Sequence, residues 1–242
     1  DPYSDSGWVE IYKQKRVAAD EYVPEVGAKF ELKEADGHVV ETLTIGKDGK
    51  AKTSEKVALG AYILHQVAGE NGCTKEQDKH DWIEDQDIVL TKDNKNKTVS
   101  YSYDDNEKPI EVELVKQSSE TKKLLNGAVY KVYDSEKNQV ATLTTGTTSD
   151  GKASCRLPYG TYTIKETTAP DGYNLDTEQR TFTLSEKSDS IKIKYDNAGN
   201  GKATLNETDT PVMGSISLQK KGEYLTGHDG DAGFTYEDDN IN

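Results

Sequence analysis

The chain has 242 residues, 33% of them apolar and 31% charged, and a formal net charge of −14. That balance is lean for one deep core but sufficient for thin sandwiches with wet outer faces, and without a basic patch it argues against nucleic acid or anionic lipid as partners. No run approaches a membrane-spanning helix, and Cys73 and Cys155 are too few for a disulfide framework and lack zinc-ligand spacing, so no metal or cofactor is expected.

The first predicted element is the alternating strand Val9-Glu-Ile11-Tyr-Lys13, ending in lysine. After it come Gly27-Ala28 with Phe30 and Leu32, then Val40-Glu-Thr-Leu-Thr, Asp48-Gly49-Lys50-Ala51 and Gly60-Ala61-Tyr62. The same series returns about one hundred residues later. Val112-Glu-Leu114-Val-Lys116 opens it, followed by Gly127-Ala128 with Tyr130 and Val132, Val140-Ala-Thr-Leu-Thr, Asp150-Gly151-Lys152-Ala153 and Gly160-Thr161-Tyr162. A repeat of this length is one folding module seen twice. Short alternating runs broken by Asp-Gly turns, with 14 Tyr beside three Phe and two Trp, predict antiparallel strands with half-buried faces. Seven or so strands per copy predict an all-β chain of tandem immunoglobulin-like sandwiches. The expected bounds are 1–107 and 108–198 for the two modules and 199–213 for a linker. Ile216-Ser-Leu218-Gln-Lys220 then repeats the opening pattern and predicts the first strand of a third module within 214–242. The start at Asp1, with neither signal peptide nor sorting tail, leads us to expect a piece of a longer protein.

Residues two apart on a strand share a face. By that parity Lys116 points inward with Val112 and Leu114, Glu166 with Tyr162 and Ile164, and Asn197 with Ile191, Ile193 and Tyr195. Burial favours the neutral forms of an amine and a carboxyl, so Lys116 can attack the Asn197 carboxamide while Glu166 shuttles the proton to departing ammonia. The alternative from parity alone is that Lys116 snorkels to the rim and Glu166 forms an ordinary ion pair.

The string Leu157-Pro-Tyr-Gly160-Thr-Tyr-Thr-Ile-Lys-Glu166-Thr-Thr-Ala-Pro170-Asp-Gly172-Tyr173 resembles the Cna B-type, or SpaA-type, repeat of Gram-positive adhesins and pilins. The likeness extends from Lys116 to Ile191-Lys-Ile-Lys-Tyr-Asp-Asn197. It implies a β-sandwich with an intramolecular isopeptide bond between Lys116 and Asn197 assisted by Glu166, with Asp196 as runner-up acceptor. The first module resembles the same family, with Lys13 and Asp105 in the lysine and acceptor positions, but Gln66 stands where the assisting acid belongs. A neutral amide cannot shuttle a proton, so a slow or absent bond is expected there, a buried Lys13–Asp105 ion pair beside Gln66 being the alternative. Lys220 matches the reactive lysine of the third opening.

Other signals are weaker. A Cys73–Gln66 thioester is not enclosed as thiolate chemistry requires, and both cysteines are expected to be free. Asp229-Gly-Asp231-Ala-Gly233 reads as a turn rather than a calcium loop. The expected function is a structural stalk of an extracellular, cell-wall-anchored Gram-positive surface protein, monomeric, in contact with neighbouring modules of its own chain and without turnover catalysis. The alternatives are that module one is an adhesin for a host protein or glycan, through the charged insertion from Asn71 to Asp87, or that the chain belongs to a sortase-assembled pilin.

Overall fold

The computed structural model describes residues 5–95, 98–228 and 234–241. They form two units, Asp1–Thr210 and Pro211–Asn242.

The first unit holds two sandwiches. Module one comprises β1 (Ser6–Ala18), β2 (Glu21–Pro24), β3 (Lys29–Glu34), β4 (Val39–Thr44), β5 (Lys50–Lys52), β6 (Val57–Ala58), β7 (Gly60–Ala68), β8 (Gln86–Leu90) and β9 (Thr98–Asp105). Module two comprises β10 (Ile110–Ser118), β11 (Val129–Tyr133), β12 (Gln139–Thr144), β13 (Lys152–Leu157), β14 (Gly160–Thr168), β15 (Gln179–Leu184), β16 (Lys194–Tyr195) and β17 (Gly201–Asp209). In module one β1 pairs with β2, β5, β6 and β9, facing a sheet ordered β4-β3-β7-β8; in module two β13-β10-β17-β16 faces β12-β11-β14-β15. In each module the first strand runs parallel to the last, β1 beside β9 and β10 beside β17. The chain thus enters and leaves each module through neighbouring strands.

Alternation explains the packing. Val9, Ile11 and Lys13 face inward from β1 against Phe30, Leu32, Leu64 and Ile88, while Val112, Leu114 and Lys116 face inward from β10 against Tyr130, Val132, Ile164 and Phe182. Burying the apolar side chains among these contributes roughly 1.5–3 kcal/mol each relative to exposure. The repeated Gly27 and Gly127 open the second sheet at φ +87 and +88, where a side chain would be strained.

Two boundaries differ from the sequence expectation. Residues 201–209, expected within a linker, form β17 and complete the first sheet of module two: Ala203 and Leu205 sit in the core while Thr204, Asn206 and Thr208 face water. The run is too polar to advertise itself, yet it alternates, and the open flank of β10 supplies its partner. The strand expected at Ile216–Lys220 does not form. Ile216 and Leu218 are 95% and 89% exposed, and the second unit is instead a hairpin of β18 (Lys220–His228) and β19 (Phe234–Ile241). Alternation makes a strand only where a sheet receives it, and no described residue of that unit offers one to Ile216. The Asp229–Gly233 run lies outside the described residues.

The two sandwiches meet in a polar joint. Glu107 Oε1 accepts from Tyr159 N at 2.5 Å and pairs with Arg16, whose Nη2 donates to Tyr159 O at 3.2 Å. Lys15 pairs with Glu186 at 3.0 Å, and the Glu186 amide donates to Val17 O. The module-one insertion supplies buried His80, bonded to Arg16 O at 2.6 Å, and Lys79 stacked on the Tyr195 ring. Part of the stretch read as a candidate adhesin surface is therefore engaged in this joint.

Candidate functional site

In module two the backbone of Lys116 is pinned on both sides: its N–H donates to Gly151 O, and its carbonyl accepts from Leu125 N. Gly151 tolerates the close approach because a Cβ there would fall 2.9 Å from Lys116 O. The side chain then runs inward along Val112 and Leu114 and is 0% exposed. Its Nζ lies 2.5 Å from Asp209 Oδ1, 3.1 Å from Glu166 Oε1 and 2.5 Å from the Tyr130 hydroxyl. Glu166 is oriented by the Asp176 amide, which donates to its Oε2 at 2.8 Å. Burial pushes the Glu166 carboxyl above the usual range, with the Lys116 amine opposing, and pushes the Tyr130 phenol up so that it stays protonated.

Asn197, the expected acceptor, is not there. It is exposed on the turn between β16 and β17, where the Asp196 carboxylate accepts from Ala198 N and Asn200 N at 2.9 Å each. An Asx turn ends the inward alternation at Tyr195, so neither Asp196 nor Asn197 reaches the core. The carboxyl of the last strand that meets the Lys116 amine is Asp209. In the parallel pairing Lys116 is opposite Glu207 and Lys13 is opposite Tyr103, and in each module the buried aspartate lies two residues further on, at Asp209 and Asp105.

In module one the Lys13 Nζ contacts both Asp105 and Glu25, and all three side chains are buried. Gln66 is buried but faces elsewhere: its Oε1 accepts from Ile83 N at 3.0 Å and its Nε2 donates to Ala68 O at 3.3 Å. It sits opposite Phe30, as Glu166 sits opposite Tyr130, so the repeat places it correctly while its side chain serves a local turn rather than the Lys13 pair. Burial pushes the Glu25 carboxyl up to about 7 against the opposing pull of Lys13, and it raises Asp105 in the same sense. Sequence reasoning missed Glu25 because it lies between strands, where no periodicity gives direction. It missed Asp209 although the alternation Ala203, Leu205, Glu207, Asp209 was available as a signal.

Cys73 and Cys155 are free, and burial pushes each thiol up to about 11. Alkylation of the native chain by iodoacetamide near neutral pH should therefore run on the order of a hundredfold slower than for an ordinary thiol, and accelerate as pH rises toward that value. Fast labelling near neutrality would contradict it. Among the described residues no cluster of three His, Cys, Asp or Glu side chains is arranged to hold a metal, and no helix is long and apolar enough to cross a membrane.

Residues 110–199 match the family model of the SpaA prealbumin-like fold domain. The comparison with curated proteins gives no match. Among solved structures the chain is similar to the TIE protein of Bacillus anthracis, at 20% identity and a TM-score of 0.44, with 98% of this chain covering 42% of that one. It is also similar to a minor pilin of Streptococcus agalactiae, at 15% identity and a TM-score of 0.34 over 89% of this chain and 100% of that one. The shaft pilin SpaA of Lactobacillus rhamnosus GG gives 17% identity and a TM-score of 0.34 over 88% and 100%. The chain thus spans less than half the length of the Bacillus protein it resembles.

Proposed function

Taking as premise that the second module is a SpaA-type prealbumin-like domain, we propose that this chain is a load-bearing segment of a Gram-positive cell-surface protein, stapled by a bond it makes for itself between Lys116 and Asp209. The observation that carries this reading is the sealed cluster in module two: one amine against two carboxyls, all three side chains 0% exposed. Left ionised, such a group keeps its desolvation cost with an excess of one negative charge. Condensation removes the problem. Neutral Lys116 attacks Cγ of protonated Asp209, Glu166 accepts the amine proton and returns one to the departing hydroxyl, and water leaves. The product is a neutral amide, with Glu166 protonated as it began. Folding supplies the effective concentration, and the reaction occurs once per molecule, so no turnover enzyme results.

The bond would join the first strand of the module to its last, so tension would pass from β10 to β17 without loading the sheets between. Such a segment serves equally in a stalk or in a pilus shaft. Intact mass and peptide mapping test the assignment. Asp209→Ala is expected to abolish the linked peptide containing Lys116, and Asn197→Ala to leave it in full yield. Loss of ammonia rather than water, or a linkage that survives Asp209→Ala, would refute the acceptor.

A further inference from the structure

We propose that Glu25 is the proton-transfer residue of a second, complete cross-linking site, which joins Lys13 to Asp105 in module one. This rests on reading the module-two cluster as a cross-linking site. The repeat makes Gln66 the counterpart of Glu166, and on that ground module one lacks its acid. The structure shows where an acid has gone. Glu25 occupies the position of Leu125: the Glu25 amide donates to Lys13 O just as the Leu125 amide donates to Lys116 O, and each lies two residues before the positive-φ glycine, Gly27 or Gly127. The two modules place their acid at different ones of these two positions. Module one carries Glu25 with Gln66, and module two carries Leu125 with Glu166.

Each core therefore holds one assisting carboxyl beside the lysine and its aspartate. Having both acids would bury three carboxyls against one amine, and having neither would leave no proton carrier. Approach from the other side changes which residue holds the amine. In module two the Tyr130 hydroxyl touches Nζ; in module one Phe30 stands in that place, and Glu25 Oε2 contacts Nζ directly. Glu25 Oε1 meets no donor, which favours burying this carboxyl in its protonated form. Its elevation to about 7 leaves a substantial protonated share at neutral pH.

The step balances as in module two. The neutral Lys13 amine forms the N–C bond to Cγ of protonated Asp105, Glu25 takes the amine proton and protonates the departing hydroxyl, and one water is released while Glu25 ends protonated. Gln66 takes no part.

The test is intact mass with peptide mapping of the full chain, as wild type, Glu25→Gln and Glu166→Gln. Wild type is expected to be two waters lighter than its sequence, with separate linked peptides for Lys13–Asp105 and Lys116–Asp209. Glu25→Gln should retain the second linkage and slow the first by about a hundredfold or more, the usual contribution of a positioned proton carrier. Glu166→Gln should do the reverse. Circular dichroism of Glu25→Gln, whose side chain keeps its size, checks that module one still folds. A Lys13–Asp105 linkage formed at full rate in folded Glu25→Gln would overturn the role of Glu25. Its absence from wild type that does carry Lys116–Asp209 would overturn the second site alone, and absence of both would overturn the module-two reading with it.

Discussion

Lys116→Ala is expected to lower the melting temperature of module two by about 20 °C or more, measured by calorimetry beside Asn197→Ala, which should melt with wild type. Two effects add. The staple closes a loop of roughly 90 residues, and by the chain-entropy estimate for a covalent cross-link a loop near that length contributes about 4–5 kcal/mol by restricting the unfolded chain. Removing the lysine also leaves the Asp209 carboxyl unlinked beside Glu166 in a sealed core, and a buried polar group left unsatisfied costs about 1–3 kcal/mol. A module of this size loses roughly 4–8 °C per kcal/mol at its midpoint, so the two effects together bring the shift to about 20 °C or more. A shift of only a few degrees would mean that no covalent staple is present.

Asp105→Ala should lengthen the chain under tension by roughly 300 Å, in a single step that wild type lacks. With both staples in place, force applied at the ends would run through β1 to Lys13, across to Asp105, along the joint and β10 to Lys116, and across to Asp209. Residues 14–104 and 117–208 would carry no load. Releasing the module-one staple frees roughly 90 residues at about 3.3–3.6 Å each, less the small separation of the folded ends. Single-molecule pulling between handles at the two termini reads this directly. Wild type that yields steps of that length for both modules would remove the load-bearing reading, whereas a step in wild type confined to module one would remove only the Lys13–Asp105 staple.

Much of the architecture was legible because strands advertise themselves by period. The repeat from Gly27 to Tyr62 and from Gly127 to Tyr162 fixed two modules, and the inward parity of Lys13, Lys116 and Glu166 followed from Val9, Ile11, Val112, Leu114, Tyr162 and Ile164. Asn197 failed for a local reason. The alternation through Ile191, Ile193 and Tyr195 is real, but Asp196 captures the backbone amides of Ala198 and Asn200 and turns the chain outward one residue too soon. The strand that does reach Lys116 looked like a linker because four of its nine residues are threonine, asparagine or lysine.

By itself the sequence determined that this is a tandem all-β chain whose modules each open with a strand carrying a lysine toward the core, since side-chain period is a property of the strand alone. Only the tertiary structure decided which acids meet those lysines. Asp209 arrives by parallel pairing of β17 with β10, Glu25 by the path of a connection between strands, and Gln66 departs by bonding to Ile83 and Ala68. Contacts between residues distant in the chain depend on register and loop course, and neither leaves a periodic trace in the residues that make them.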